Sequence, residues 1–234
     1  MRVSFSQPVF LPWGGFFGRL LHSDLMIILD QTQFARGFTY VNRNRLKNPR
    51  GEIWITVPVH KKGLGLQTIN KLRIFEPERW SQKFFSLLRH YYCHSIYFEE
   101  TEAQLRTIFN QAGENFCALT AGVNRLLAEK WAIPTTMVEQ PEETSSLKGC
   151  QLLLELARQV GANEVLLPWL ADRHLPVEFF TSAGLKIIFL KYQQLPYPQF
   201  WGDFIPNLSA LDLWLCCGES GRKILEKSCR LIRP

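Results

Sequence analysis

The most unusual polar string in this sequence spans residues 42–48 and reads Asn-Arg-Asn-Arg-Leu-Lys-Asn. Asparagine offers both a hydrogen-bond donor and an acceptor, and arginine offers a planar fork that fits phosphate or carboxylate. Residues 36–62 carry seven basic side chains and one acidic one, a charge of +6 that equals the net charge of all 234 residues. We therefore predict a site for an anionic small molecule here rather than a solvated basic face. Its candidate residues are Asn42, Arg43, Asn44, Arg45 and Lys47.

Polar residues after the first two predicted strands form a second group of candidates. In open α/β sheets, ligands bind beyond the carboxyl ends of the strands. Asp30, at the second of these ends, could bind a hydroxyl or an amine or act as a general base. Gly14-Gly15 at a predicted helix start offers free backbone N–H groups to a phosphate, although a glycine pair can equally be a turn. The group comprises Gln7, Pro8, Gly14, Gly15, Asp30 and Gln33.

Two later polar clusters have structural alternatives. Gln199, Asn207 and Asp212 could contact a ligand, but the spacing from Ser209 to Asp212 is also that of a helix cap. The string Asp172-Arg173-His174 has catalytic residue types, yet a loop between apolar stretches explains it better. A purely structural role therefore stays open for both clusters.

The elements that must position these residues read as an α/β chain. A short strand (2–5), an amphipathic helix (16–22) and an apolar strand (25–29) predict a βαβ unit of a buried parallel sheet. A polar, basic loop (31–51) and a strand (53–60) follow, and apolar spacing predicts helices between residues 80 and 129. The remaining predicted elements are strands at 135–138, 164–167 and 186–190 and helices at 147–160, 177–182 and 210–217.

This order predicts one α/β domain over residues 1–234, with a mostly parallel sheet and a helical section at about 78–130. Ser145 or Ser146 should cap the helix at 147–160, and Gly161 should end it. Gly218 should end the helix at 210–217.

Composition excludes several classes of protein. No apolar stretch approaches the roughly 18 residues of a membrane span, and residues 1–13 lack the apolar region of a secretory signal. The six cysteines show no CxxC spacing, and His90 and His94, which lie four residues apart, have no third ligand nearby. We therefore predict reduced thiols in a cytoplasmic protein and no metal site. The sequence indicates no particular cofactor and no oligomeric state.

Motifs along nearly the whole chain occur in one order. They are Gln7-Pro8-x-Phe10-Leu11-Pro12-Trp13, Ser23-Asp24 to Leu29-Asp30, Gln33-Phe34, Asn42-Arg43-Asn44-Arg45-x-Lys47, Trp54-x-Thr56-Val57-Pro58-Val59, Tyr197-Pro198-Gln199 and Phe204-x-Pro206-Asn207-Leu208-Ser209-x-x-Asp212. In this order they resemble the WbqC-like family, whose members occur in bacterial O-antigen and related glycan clusters. Transfer of glycine onto an amino sugar is one role proposed there.

The resemblance implies a Rossmann-like sheet similar to that of nucleotidylyltransferases, although the paired histidines of that group are absent here. It implies a transferase of surface-polysaccharide synthesis that acts on a nucleotide-activated amino sugar. Asp30 and Arg43 would then be catalytic, and Trp13 would join the substrate-binding residues. The chain departs from many relatives at Ser6, at Pro168-Trp169 and at Cys216. These departures suggest an altered substrate or an inactive site.

Two alternatives to the transferase remain. One is a non-catalytic or altered-substrate protein of the same pathway that binds a nucleotide or another anion. The other, less favoured, is a nucleic-acid-binding module in which Phe34, Phe38, Tyr40 and Trp54 would stack on bases between basic residues.

Overall fold

The protein is built around a six-stranded sheet with the order β5-β2-β1-β6-β7-β8. A computed structural model describes residues 1–35, 37, 39–173 and 175–234, with only the backbone of Asp172 and Arg173. Arg36, Phe38 and His174, and with His174 the proposed Asp172-Arg173-His174 cluster, therefore lie outside the described residues. The strands are β1 (Arg2–Ser6), β2 (Leu25–Ile28), β5 (Thr136–Glu139), β6 (Glu164–Pro168), β7 (Lys186–Tyr192) and β8 (Cys229–Ile232). All neighbours pair in parallel except β7 and β8, so the predicted Rossmann-like, mostly parallel sheet is confirmed.

The helices connect the strands and cover both faces of the sheet. They are α1 (Gly14–Leu21), α2 (Pro77–Tyr92), α3 (Phe98–Ala112), α4 (Phe116–Lys130), α5 (Gly149–Gln159), α6 (Val177–Thr181), α7 (Ala210–Cys217) and α8 (Gly221–Lys227), with short 3₁₀ turns at Ile69–Lys71, Glu142–Thr144, Trp169–Arg173 and Gly218–Ser220. One large apolar cluster contains side chains from α1, from the helical section α2–α4 and from α7. A second cluster joins the opposite face of the sheet to α5 and α6.

The predicted loop over residues 31–51 is wrong in its last part. Residues 43–48 form strand β3 (Arg43–Asn48), which pairs antiparallel with β4 (Gly51–Thr56) in a separate two-stranded sheet. Buried asparagines secure the ends of this hairpin: Asn42 Nδ2 donates to the Val57 carbonyl at 2.8 Å, and Asn44 Nδ2 donates to the Leu11 carbonyl at 2.6 Å. These amides satisfy backbone groups that only distant parts of the chain present, which explains why a polar segment folds as a strand.

Of the three predicted helix caps, the two glycine caps are present and the serine cap is not. Helix α5 begins at Gly149, after Lys148, and no side chain caps it, so the predicted serine cap is wrong. Gly161 adopts φ 64° and Gly218 adopts φ 55°, both in the left-handed region expected of a residue that ends a helix. Helix α8 and strand β8 were not predicted.

The topology places one crevice where ligands are expected. Strand β1 lies between β2, which follows it in the chain, and β6, which begins the other half of the sheet. The connections from β1 and β6 therefore leave toward opposite edges. Ligands of open α/β sheets bind at such a switch point, outside the carboxyl ends of the strands.

Candidate functional site

A pocket of about 380 Å³ opens beside the carboxyl end of β1. The segment after β1 forms one wall, α1 forms another, and the β3–β4 hairpin closes a third side. A volume of this size is within the range of small-molecule sites. Its lining residues are Ser6, Val9, Pro12, Trp13, Phe16, Arg19, Tyr40, Asn44, Arg45 and Asn207. None of these lining residues is acidic, so the pocket favours an anion.

Arg19 is a pocket residue whose buried guanidinium is only partly hydrogen-bonded. It is the one charged residue of α1, and its Nη2 donates to Ser6 Oγ at 3.3 Å. Its Nε is buried without a hydrogen-bond partner, and among the described residues no carboxylate pairs with it. Burial lowers the pKa of Arg19 to about 10. An anion at this guanidinium would supply the missing acceptor and offset the cost of desolvating the charge.

Arg45 and its neighbours form the opposite wall. Arg45 pairs with Glu52, donates to the Asn207 carbonyl at 3.0 Å, and lies 5.6 Å from the ring centre of Trp54. The Asn44 side chain is held by the backbone, because its Oδ1 accepts from the Arg45 N–H at 2.8 Å. These contacts fix the guanidinium of Arg45 at the rim and hold the hairpin against the loop that precedes α7.

Aromatic rings give this polar pocket an apolar rim. Trp13 is 37% exposed and Tyr40 is 51% exposed, both larger fractions than is usual for such side chains. The ring centres of Tyr40 and Trp54 lie 5.8 Å apart, and the ring of Trp13 packs edge-on against that of Tyr192. Exposed rings beside a cationic pocket are suited to stacking on a flat ligand group.

Lys47, Gln199 and Asp212, three predicted substrate-binding residues, form a polar cluster in which Lys47 and Asp212 are buried and Gln199 is half-buried. Lys47 is only 1% exposed, and its Nζ donates to Gln199 Oε1 at 2.9 Å and to the Asp203 carbonyl. Asp212 accepts hydrogen bonds of 2.6 Å from the hydroxyls of Tyr92 and Tyr197. This buried polar cluster joins β3 to the segment before α7, and it is not part of the pocket lining.

Burial also dominates the titration behaviour of this cluster. Desolvation raises the pKa of Asp212, although the two tyrosine hydroxyls and the charge of Lys47 act in the opposite direction. Desolvation and the nearby Asp212 raise the pKa of the Cys216 thiol, and they raise that of Cys217 to about 11. Neither thiol is thus poised to act as a nucleophile at neutral pH.

The glycines predicted as a phosphate seat have a close-packing role. A Cβ on Gly14 would lie 2.0 Å from Tyr192 Oη, and one on Gly15 would lie 2.6 Å from the ring of Trp13. Both residues are buried, and neither lines the pocket. The rings of Tyr192 and Trp13 thus occupy the space that a side chain at either position would need.

The other predicted residues are distributed around the pocket rather than inside it. Gln7 is exposed, and its side-chain amide donates to Thr32 Oγ1 at 3.0 Å. The backbone of Gln33 forms an isolated antiparallel bridge with Thr68. Arg43 is the first residue of β3 and is half-buried. Pro8 and Asp30 line a second, smaller cleft on the other side of the segment that follows β1. Of the predicted residues, Trp13, Asn44, Arg45 and Asn207 are brought together in the main pocket.

Of the polar pocket residues, Ser6, Arg19 and Tyr40 were not among the substrate-binding candidates drawn from the sequence. Arg19 lies within an apolar helix, Gly-Gly-Phe-Phe-Gly-Arg-Leu-Leu, where a lone arginine is easily taken for a surface residue. The available signal was its position: it follows Phe16 by three residues and Leu20 and Leu21 come next, so it lies beside the buried face.

Comparison with known proteins agrees with the earlier resemblance. The profile of the WbqC-like protein family matches residues 7–224. The chain belongs to the WbqC-like family. A relative in Mycobacterium tuberculosis strain H37Rv, the uncharacterized protein Rv1507c, is 27% identical over 214 residues, covering 91% of this chain and 92% of the relative. The match begins directly after β1 and ends within α8, and it includes every pocket residue but Ser6.

Among the described residues, no helix is both long enough and apolar enough to cross a membrane. Within the same ranges, no three His, Cys, Asp or Glu side chains come together in a way that could hold a metal ion.

Proposed function

We propose that this protein binds a phosphorylated small molecule in the pocket beside β1 and that the natural ligand is a nucleotide-activated sugar. The observation that carries the proposal is Arg19, a desolvated guanidinium whose Nε has no partner in a pocket without acidic residues. Arg45 also lines the pocket, with its Nη1 paired to Glu52 and its Nε buried without a partner, and Tyr40 supplies an exposed ring for a base or sugar. A diphosphate flanked by flat groups fits this pattern of charge and aromatic surface.

We further propose that the bound sugar is a substrate of a transferase in surface-polysaccharide synthesis, the role that the family resemblance implies. The buried positions of Lys47 and Asp212 remove them from this proposal. The non-catalytic alternative differs only in the outcome: such a protein binds the nucleotide sugar and does not turn it over.

The first experiment is a calorimetric titration with UDP-N-acetylglucosamine and, separately, with inorganic pyrophosphate. The Arg19→Gln variant should bind either ligand about 10- to 150-fold more weakly, the loss expected for one or more charge-assisted hydrogen bonds of about 1.5–3 kcal/mol. Arg158, exposed on α5, provides the matched control, because Arg158→Gln removes the same charge away from the pocket. Equal affinities of the two variants would refute the site.

Short RNA and DNA oligonucleotides at low salt test the nucleic-acid alternative. Arg45 is paired with Glu52 and Lys47 is buried, so the basic segment does not present a continuous cationic face. We expect no binding that falls steeply with salt. Tight, salt-dependent binding that survives Arg19→Gln would favour the nucleic-acid module instead.

A further inference from the structure

A second cleft lies at the carboxyl ends of β2 and β5, and residues of α4 form another of its walls. It holds about 50 Å³ and is lined by Asp30, Glu139, Asn124 and Arg125 among others. Pro8 forms part of its wall, whereas Val9, the next residue, lines the anion pocket. Asn124 Nδ2 donates to the Val9 carbonyl at 3.2 Å. The two sites therefore occupy opposite sides of the segment that follows β1.

The second cleft presents oxygen acceptors that lack donors. Asp30 is 7% exposed and Asn124 is 3% exposed, and the Oδ1 atom of each is buried without a hydrogen-bond partner. The hydrogen bond from Nδ2 to the Val9 carbonyl fixes the orientation of the Asn124 amide, so the atom without a hydrogen-bond partner is its oxygen. Glu139 lies at the rim, and no ion pair of Glu139 occurs in the described parts of the chain. Leaving buried acceptors unsatisfied is costly, which is why such groups mark sites for a ligand or water.

The charges around Asp30 favour a cationic partner. Burial and the charge of Glu139 raise the pKa of Asp30, and the backbone amides of Gln31 and Gln140 offset only part of this effect. Cys117 also lines the cleft, and burial raises the pKa of its thiol to about 12, so the thiol is neutral at pH 7. Arg125 is the one cation in the lining. A positive donor placed between Asp30 and Glu139 would relieve their mutual repulsion.

We propose that this cleft binds a primary ammonium group, held by the Oδ1 atoms of Asp30 and Asn124 and by the carboxylate of Glu139. Three acceptors match the three N–H donors of an ammonium. A space of 50 Å³ accepts a group of one or two water-sized atoms, the size of a methylammonium head. A divalent cation fits less well, since Arg125 would repel its double charge and the cleft supplies only two carboxylates. This proposal does not rest on the anion pocket.

NMR titration of the ¹⁵N-labelled protein with methylammonium chloride at constant ionic strength tests the proposal. Wild type should show saturable shifts at residues around Asp30 and Asn124, and tetramethylammonium, which has no N–H donor, should not produce them. Asp30→Asn should weaken methylammonium binding by about 10-fold or more. Glu129→Gln, which removes an exposed carboxylate from the same helix as Asn124, should leave the affinity unchanged.

Further measurements keep the failure modes distinct. Asn124→Leu, of similar volume, should also lose methylammonium binding, and both variants should still respond to pyrophosphate if the anion pocket is intact. Shifts caused by MgCl₂ and not by methylammonium would overturn the proposal in favour of a metal site. Equal methylammonium affinity in wild type and Asp30→Asn, or no saturable shift at all, would also overturn it.

Discussion

Replacing Arg19 by methionine should stabilise the ligand-free protein and at the same time remove its affinity for anions. Methionine keeps the unbranched stem and the helix propensity of arginine while it deletes the charge. Ser6 Oγ, which accepts from Arg19 at 3.3 Å, still donates to the Gln7 carbonyl at 3.0 Å, so the substitution leaves Ser6 with a partner. The substitution therefore isolates the charge of Arg19.

The magnitude follows from the desolvation of the guanidinium. A fall in the pKa of Arg19 from 12.5 to about 10 corresponds to roughly 3 kcal/mol against the charged form. The guanidinium borders an open pocket, and solvent there screens part of this penalty, so we expect a gain of about 1–3 kcal/mol in the free energy of unfolding. Removing a charged group from a binding site commonly stabilises the ligand-free protein, because binding sites hold groups in arrangements that are unfavourable until the ligand is bound.

Urea denaturation with and without pyrophosphate measures both effects. For wild type, a ligand concentration 100 times its Kd should add about 2.7 kcal/mol to the free energy of unfolding, and the Arg19→Met variant should gain nothing. Arg158→Met is the control, and it should change neither stability nor ligand response appreciably. If Arg19→Met instead destabilises the protein by 1 kcal/mol or more, Arg19 is a structural residue and the reasoning is refuted.

Three other substitutions test the surroundings of the two clefts. Tyr197→Phe removes one of the 2.6 Å hydrogen bonds to the buried Asp212 carboxylate and should cost about 1.5–3 kcal/mol in urea denaturation; a cost below 0.5 kcal/mol would argue against an ionised Asp212. The raised pKa of Asp30 means that the folded state holds this proton more tightly than the unfolded state does. Wild type should therefore lose stability relative to Asp30→Asn as the pH rises from about 4 to 7. Parallel pH profiles of the two proteins would contradict this. Gly14→Ala places a Cβ 2.0 Å from Tyr192 Oη and should lower the free energy of unfolding by about 1–3 kcal/mol, whereas an unchanged melting temperature would show that α1 has room to move.

The sequence allowed the β1–α1–β2 unit to be predicted because its apolar residues follow the periods of a buried strand and a packed helix. The β3 strand was missed for an equally local reason. Five of the six residues of Arg43–Asn48, which read Arg-Asn-Arg-Leu-Lys-Asn, are charged or amide-bearing, and such a string has no strand signature of its own. Its Asn44 side chain is held by the carbonyl of Leu11, 33 residues earlier in the chain, and no local pattern reports such a contact.

The candidate site was predicted in part for similar reasons. Basic charge after β2 pointed to an anion, and Arg45 and Asn44 do line the pocket. Lys47 could not be distinguished from Arg45 in the sequence, because residues two apart share one face of a strand. Its burial arises from Gln199 and Asp203, more than 150 residues away in the chain. Arg19 was missed because its significance arises from tertiary burial, which leaves its Nε without a partner.

A structure of the protein bound to UDP-N-acetylglucosamine, or to pyrophosphate if the sugar is not retained, tests the central claim most directly. We predict a phosphate oxygen within hydrogen-bond distance of Arg19 Nε, with Arg45 on the far side of the pocket and the Tyr40 ring against a flat group of the ligand. A phosphate bound elsewhere, for example at Lys61 and Lys62, with Arg19 Nε making no contact to it, would contradict the proposed site.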